Sequence, residues 1–224
     1  MGKDFEKFTK FAKENVGINP LKLKENTEKA INGLLTPLVL EQRALNVTTY
    51  DIFSRLMLDR IIFLSGEVTP ESIDIITAQL LYLDSIDNRD INIYINSPGG
   101  DCYSGLQLVS VIDFIKSDVS TTIMGLAASM GAVIATNGTK GKRFALPYSR
   151  FMIHQPLSSF GNTKFTDSKI ALREMESVRN DLYDILAKNS EKPIEEIINL
   201  CENGDKWYKG QEIVNEKFVD SIIS

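Results

Sequence analysis

Imidazole is almost missing from this chain: its 224 residues include a single histidine, His154. Any chemistry that needs a nitrogen base near neutral pH therefore has one imidazole to draw on. Cysteine is nearly as scarce. Cys102 and Cys201 lie far apart and form no metal-ligand spacing, so no metal centre is expected, and a reduced, cytoplasmic compartment suits them. No apolar run approaches membrane-spanning length, so no transmembrane helix is expected. The N-terminal stretch lacks an apolar signal-peptide core and carries Asp4, Glu6 and Glu14 among its lysines, which argues against a secretory signal and a mitochondrial transit peptide. Basic excess is absent too: a net charge of −5 gives no case for a nucleic-acid surface. With 43% hydrophobic and 25% charged residues, what remains is an ordinary globular composition without a break after residue 35.

Against that background Ser129 stands out. It lies in GLAASMGA (residues 125–132), and His154 follows 25 positions later in RFMIHQP. A serine hydroxyl is a weak nucleophile until a neighbouring base takes its proton, and imidazole is the usual base. The run Val119–Met124 has strand character, then come small residues, then a helix starting near Met130, whose first N–H groups are free to face an anion. Residues 91–100, INIYINSPGG, read as an apolar strand followed by a turn, and Gly99 and Gly100 give the backbone freedom to point an amide into a cleft. The Gly100 and Met130 amides would suit a developing oxyanion. Each feature also has a plainer reading: Ser129 as a helix cap, His154 as a core histidine, and Pro-Gly-Gly as a tight turn.

The order of elements predicts an α/β fold. Helical patterns cover 3–15 and 24–34, where Phe5, Phe8 and Phe11 form a partial stripe, and then 51–58. A strand at 60–66 leads to a helix begun by Thr69-Pro70 and continued to about Asp84 by Ile73, Ile76, Leu80 and Leu83. Strand 91–97, helix 101–117, strand 119–127, helix 130–137 and strands near 142–146 and 149–155 follow. Strands alternating with crossover helices imply a largely parallel sheet with both glycine and serine turns at its carboxyl edge. Beyond His154, a helix over about 165–190 has Ile170, Met175, Val178, Leu182 and Ile185 spaced for one buried face.

Six segments, in order, resemble one family. They are YDIFSRL (50–56), RIIFLSGEV (60–68), INIYINSPGGD (91–101), GLAASMGA (125–132), KGKRFALPYSRFMIHQPL (140–157) and FVDSI (218–222). Together they resemble ClpP, the proteolytic subunits of the ATP-dependent Clp proteases, over roughly residues 35–223. The resemblance implies the ClpP/crotonase-like fold of repeated β-α units with a projecting strand-helix handle at about 157–190. It implies a peptidase domain over 35–224, preceded by a 1–34 extension that serves as propeptide or axial segment. It puts Ser129 at the nucleophile position, His154 at the general base, and Gly100 and Met130 at the oxyanion hole. Counting back from FVDSI puts Asp205 at the third triad position, with Glu202 as the nearest acidic alternative. Two departures stand in this chain: Gly204 where the family usually has arginine, and LSSFGNTKF in the handle in place of glycine-and-glutamine wording.

The same resemblance implies a serine endopeptidase of protein quality control. It would act on unfolded polypeptides inside two stacked heptameric rings of this chain, a tetradecamer, fed by an AAA+ Clp unfoldase. Neither a metal nor a cofactor is implied for hydrolysis, since ATP is used by the partner. Three rivals remain at this stage: a catalytically silent ring subunit, a crotonase-type acyl-CoA enzyme, and a membrane-associated signal-peptide peptidase with Lys140 or Lys142 as base. Cys102, just after the glycines, reads as a bystander near the cleft.

Overall fold

The computed structural model describes residues 38–43, 46–157 and 164–223. The helices expected at 3–15 and 24–34, and the boundary expected at 34, lie outside them. The chain divides into two compact units, Met1–Asp59 and Arg60–Ser224. In the first, strand β1 (Leu38–Arg43) pairs antiparallel with β2 (Asn46–Asp51), and helix α1 (Ile52–Leu58) follows directly. Asp51 starts that helix, its Oδ1 accepting from the Phe53 and Ser54 amides at 3.1 Å each.

The second unit carries the repeated β-α pattern. Its elements are β3 (Ile61–Val68), α2 (Pro70–Ile86), β4 (Ile91–Gly100), α3 (Cys102–Phe114), β5 (Val119–Ala128), α4 (Met130–Thr136), β6 (Arg143–Ala145), β7 (Arg150–Ile153), α5 (Phe165–Ser190), α6 (Ile194–Glu202), β8 (Lys206–Lys209), α7 (Gln211–Asn215) and β9 (Ser221–Ile222). Helix α2 begins as its sequence predicts. Thr69 Oγ1 accepts from the Ser72 amide at 3.2 Å while Ser72 Oγ accepts from the Thr69 amide at 3.0 Å. Its buried residues are Ile73, Ile76, Leu80 and Leu83, the four that the spacing selected. Helix α3 stops at Phe114, short of the expected residue 117, because Asp84 Oδ1 captures the Lys116 and Ser117 amides and holds that segment outside the helix.

Seven strands form one sheet, in the order β3-β4-β5-β6-β9, all parallel, with β7 parallel to β5 and β8 antiparallel to β7. Ile91, Ile93, Ile95 and Ile123 fill the centre without exposure, as expected of strands covered on both faces. β5 serves two neighbours in turn. Thr121–Ile123 pair with β6, and Leu126–Ala128 pair with β7. The strand changes partner at Gly125, where a Cβ would lie 2.7 Å from Asn96 Oδ1 and where the same oxygen accepts from the Leu126 amide at 3.0 Å. That split gives β5, β7 and β8 a common end.

Burial in α5 falls on its second half. Val178, Leu182, Tyr183, Leu186 and Ser190 are buried; Ile170, expected inside, is exposed, and Met175 and Ile185 are half-buried. Among the described residues no helix is long and apolar enough to cross a membrane, and no group of His, Cys, Asp or Glu is placed to hold a metal ion.

Candidate active site

Three adjacent strands end side by side, and one polar side chain projects from just past each end. Ala128 of β5 is opposite Met152 of β7, and the next amide, Ser129 N–H, donates to Met152 O at 2.9 Å. In the antiparallel pair, Ile153 is opposite Lys206, so one further step along each strand places His154 across from Asp205. The side chains follow that register: Ser129 Oγ lies 2.9 Å from His154 Nε2, and His154 Nδ1 lies 3.4 Å from Asp205 Oδ1. The first contact is a full hydrogen bond; the second is an ion-pair contact beyond ordinary hydrogen-bond range. His154 is 14% exposed at its side chain and Asp205 58%, so the carboxylate sits at the rim of the site. Glu202, the alternative acid, turns instead toward Arg179, at 3.4 Å.

Ser129 occupies the turn between β5 and α4 with φ +53 and ψ −123, a conformation that side chains other than glycine's rarely adopt. Its bonds hold it there: besides the Met152 contact, its carbonyl accepts from the Ala132 and Val133 amides at 3.0 and 3.3 Å. Ser129 makes no side-chain cap bond to α4, which leaves Oγ to the imidazole. Gly99 packs directly under this turn. With φ +92, a Cβ on it would meet Ala128 O and Ser129 Cβ at 2.7 Å and Met130 N at 2.8 Å. The Ser-Pro-Gly-Gly segment is extended rather than a tight turn, continuing β4 beside β3 after a register shift between Ser65 and Glu67, with a second shift between Ile95 and Ser97 on the β5 side. Gly100 pairs with Val68, and its own Cβ would lie 2.3 Å from Val68 O. Gly100 and Met130 thus lie beside the contact between the end of β4 and the Ser129 turn.

Cys102 lines the pocket beside Ser129 and His154, but burial, then the neighbouring Asp101, raises its thiol above the ordinary range. The thiolate a nucleophile needs is disfavoured there. Neither lysine reaches the site. Lys142 bonds Asp90 and Asp118 at 2.6 and 2.8 Å, next to the starts of β4 and β5, and Lys140 pairs with Glu191. Those are the amino ends of the strands, the opposite edge of the sheet. Sequence reasoning passed over Gly99's contact with the Ser129 turn and also Tyr183, which lines the pocket. The available signal for Tyr183 was its place beside the Val178–Leu182–Leu186 stripe.

A parallel α/β sheet with serine, imidazole and carboxylate in sequence across neighbouring strand ends defines the class: a hydrolase of the serine-peptidase type. The Clp protease family model matches residues 43–224. A Streptococcus salivarius protein is 47% identical over 192 residues, covering 85% of this chain and 97% of its own length. Proteins from Porphyromonas gingivalis and Bacteroides thetaiotaomicron are 42% and 43% identical over 217 residues each, covering 96% of this chain and 96% and 97% of theirs. All three carry the name ATP-dependent Clp protease proteolytic subunit. The chain belongs to the Clp protease family and is a serine-type endopeptidase.

Proposed function

We propose that Ser129, His154 and Asp205 are the catalytic residues of this peptidase, with the Gly100 and Met130 amides as its oxyanion hole. The observation that carries the reading is the 2.9 Å bond between Ser129 Oγ and His154 Nε2, made from a strained turn that leaves the hydroxyl no other partner in α4. With the Nδ1–H directed at Asp205, Nε2 is left as an acceptor for the serine proton. Ser129 Oγ attacks the peptide carbonyl as Nε2 takes the proton, and the two amides hold the tetrahedral oxyanion. The imidazolium then protonates the leaving amine, and water hydrolyses the acyl-enzyme by the reverse sequence. The chemistry is complete without a metal or bound cofactor; ATP is consumed by the partner.

The substrates are unfolded polypeptides and the working form is a cytoplasmic homo-oligomer of two stacked heptameric rings, loaded by an AAA+ Clp unfoldase. Residues 1–34 form an extension and about 157–190 the handle. The name shared by the relatives supports an ATPase partner. Assembly is supported by α5, whose first half buries nothing within the chain and exposes Phe165, Ile170 and Leu172. The test is degradation of a permanently unfolded protein by the assembled chain, with and without an AAA+ unfoldase and ATP, beside Ser129→Ala. Cleavage lost in the mutant supports the reading. Equal cleavage by an equally assembled mutant overturns it, and no cleavage by either favours the silent ring subunit, for which the exposed Asp205 is the supporting observation.

A further inference from the structure

One residue lining the pocket beside Ser129 and His154 carries a buried polar group that no hydrogen bond among the described residues uses. Its walls include Met130 and Val133 of α4, Ile153 of β7 and Leu182 and Leu186 of α5, all buried. Tyr183 stands in the same wall at 2% exposure, and its hydroxyl has no hydrogen-bond partner among the described residues. The charged neighbours act on it only through space. The Arg179 guanidinium carbon is 5.9 Å from the ring centroid, and that guanidinium is already engaged by Asn180 and Glu202. Burial, then Cys201 and Glu202, push the phenol up to about 12, so it remains a protonated donor wherever an imidazole base operates. A buried, unpaired hydroxyl carries a desolvation penalty that phenylalanine in the same space would not, and such groups call for an explanation.

We propose that the Tyr183 hydroxyl reads the substrate side chain on the acyl side of the scissile bond, donating a hydrogen bond to a neutral acceptor at the tip of an unbranched side chain. The inference rests on Ser129 being the nucleophile, because that is what makes this pocket the seat of the acyl-side residue. Apolar walls and the nearby Glu202 disfavour a carboxylate. A carboxamide brings N–H donors that the wall side chains, apolar except for Tyr183, Cys102 and the catalytic pair, do not match. The best fit is a tip with an acceptor and no donor: methionine sulfoxide first, methionine with its weaker thioether second. Norleucine has the methionine shape without the acceptor.

The test is kcat/KM for peptides that differ only in that residue, measured with the assembled parent and with Tyr183→Phe. The parent is expected to favour the sulfoxide over norleucine by about five- to tenfold, the scale of one neutral hydrogen bond. In Tyr183→Phe that ratio is expected to fall to about one, with methionine moving the same way by less. The variant is also expected to melt no lower than the parent, because the hydroxyl bonds nothing among the described residues. A ratio unchanged in Tyr183→Phe, or a parent that prefers norleucine, overturns the inference while leaving the peptidase reading intact. A parent unlabelled at Ser129 and inert on every peptide overturns both.

Discussion

At the amino ends of the strands, Arg60 and Arg143 are buried to 3% and 4% exposure, and each nitrogen of both guanidinium groups has a partner. Arg60 reaches the carbonyls of Leu83, Asp87, Arg89 and Asp90, the Ser117 hydroxyl and the Asp87 carboxylate. Arg143 binds Asp220 at 2.6 Å together with the Thr136 and Asn189 carbonyls. At the carboxyl ends, by contrast, Asp205 is more than half exposed at 3.4 Å from its histidine, and the Tyr183 hydroxyl is unpaired among the described residues. One edge has its polar groups saturated and holds the fold together. The other keeps groups loosely paired or unpaired, which is the condition of groups that must bind and react.

Substitutions at the two edges should therefore separate activity from stability. The largest effect belongs to the carboxyl edge: Ser129→Ala or His154→Ala should each lower kcat by about 10⁴–10⁶-fold, with the double mutant no worse than the poorer single, and with melting little changed. Steady-state peptide hydrolysis together with calorimetry checks both halves of that statement. At the amino edge, Asp220→Ala strands the buried Arg143. It should lose roughly 3 kcal/mol in denaturant unfolding, the lower end for a broken buried pair because Asp220 is partly exposed, while the folded fraction keeps its kcat.

Asp205→Asn should be milder than Ser129→Ala. A buried, closely bonded aspartate is worth about 10⁴ in kcat; for one at the rim and 3.4 Å away, roughly 10² is expected. A loss as large as that of Ser129→Ala would mean that assembly or substrate draws Asp205 in. The smallest effect is on pH dependence. Burial by itself would raise the Asp220 carboxyl, but the bonds from the Arg143 side chain and amide, with Gly141 N–H, bring it below its ordinary value. Its stabilisation is therefore complete above the unfolded-state value near 3.8 and is lost as pH falls through the lower folded-state value. Asp220→Asn should flatten the acid limb of the stability curve below that point and leave the neutral region's slope unchanged.

The sequence was most readable where periodicity and caps agree. The Thr69-Pro70 start and the 73–76–80–83 stripe stand where the pattern puts them, whereas β4 runs on through the expected turn to Gly100 and β5 ends at Ala128, one residue past the expected 127. Ser129 and His154 were legible because one histidine left no choice of imidazole. The register that joins them was not legible. β8 has four residues, too few to show alternation, and its antiparallel pairing with β7 breaks the parallel rule that the rest of the sheet obeys. Asp205 could be located only by resemblance, although the pairing of Ile153 with Lys206 is its physical cause. In α5 the apolar spacing continues past the point where the chain offers anything to pack against, so Ile170 reads as core and is exposed. Tyr183 escaped because an aromatic with a polar tip is silent in an apolar pattern.

The central claim is that the strained turn delivers an activated hydroxyl to His154. Its most direct test is the intact mass of the assembled protein after treatment with a fluorophosphonate, beside Ser129→Ala and His154→Ala. The account predicts one adduct per chain in the parent, mapped to Ser129, and none in either variant. Adduct formation that survives His154→Ala at the parent's rate, or a parent that takes up no label, would contradict it.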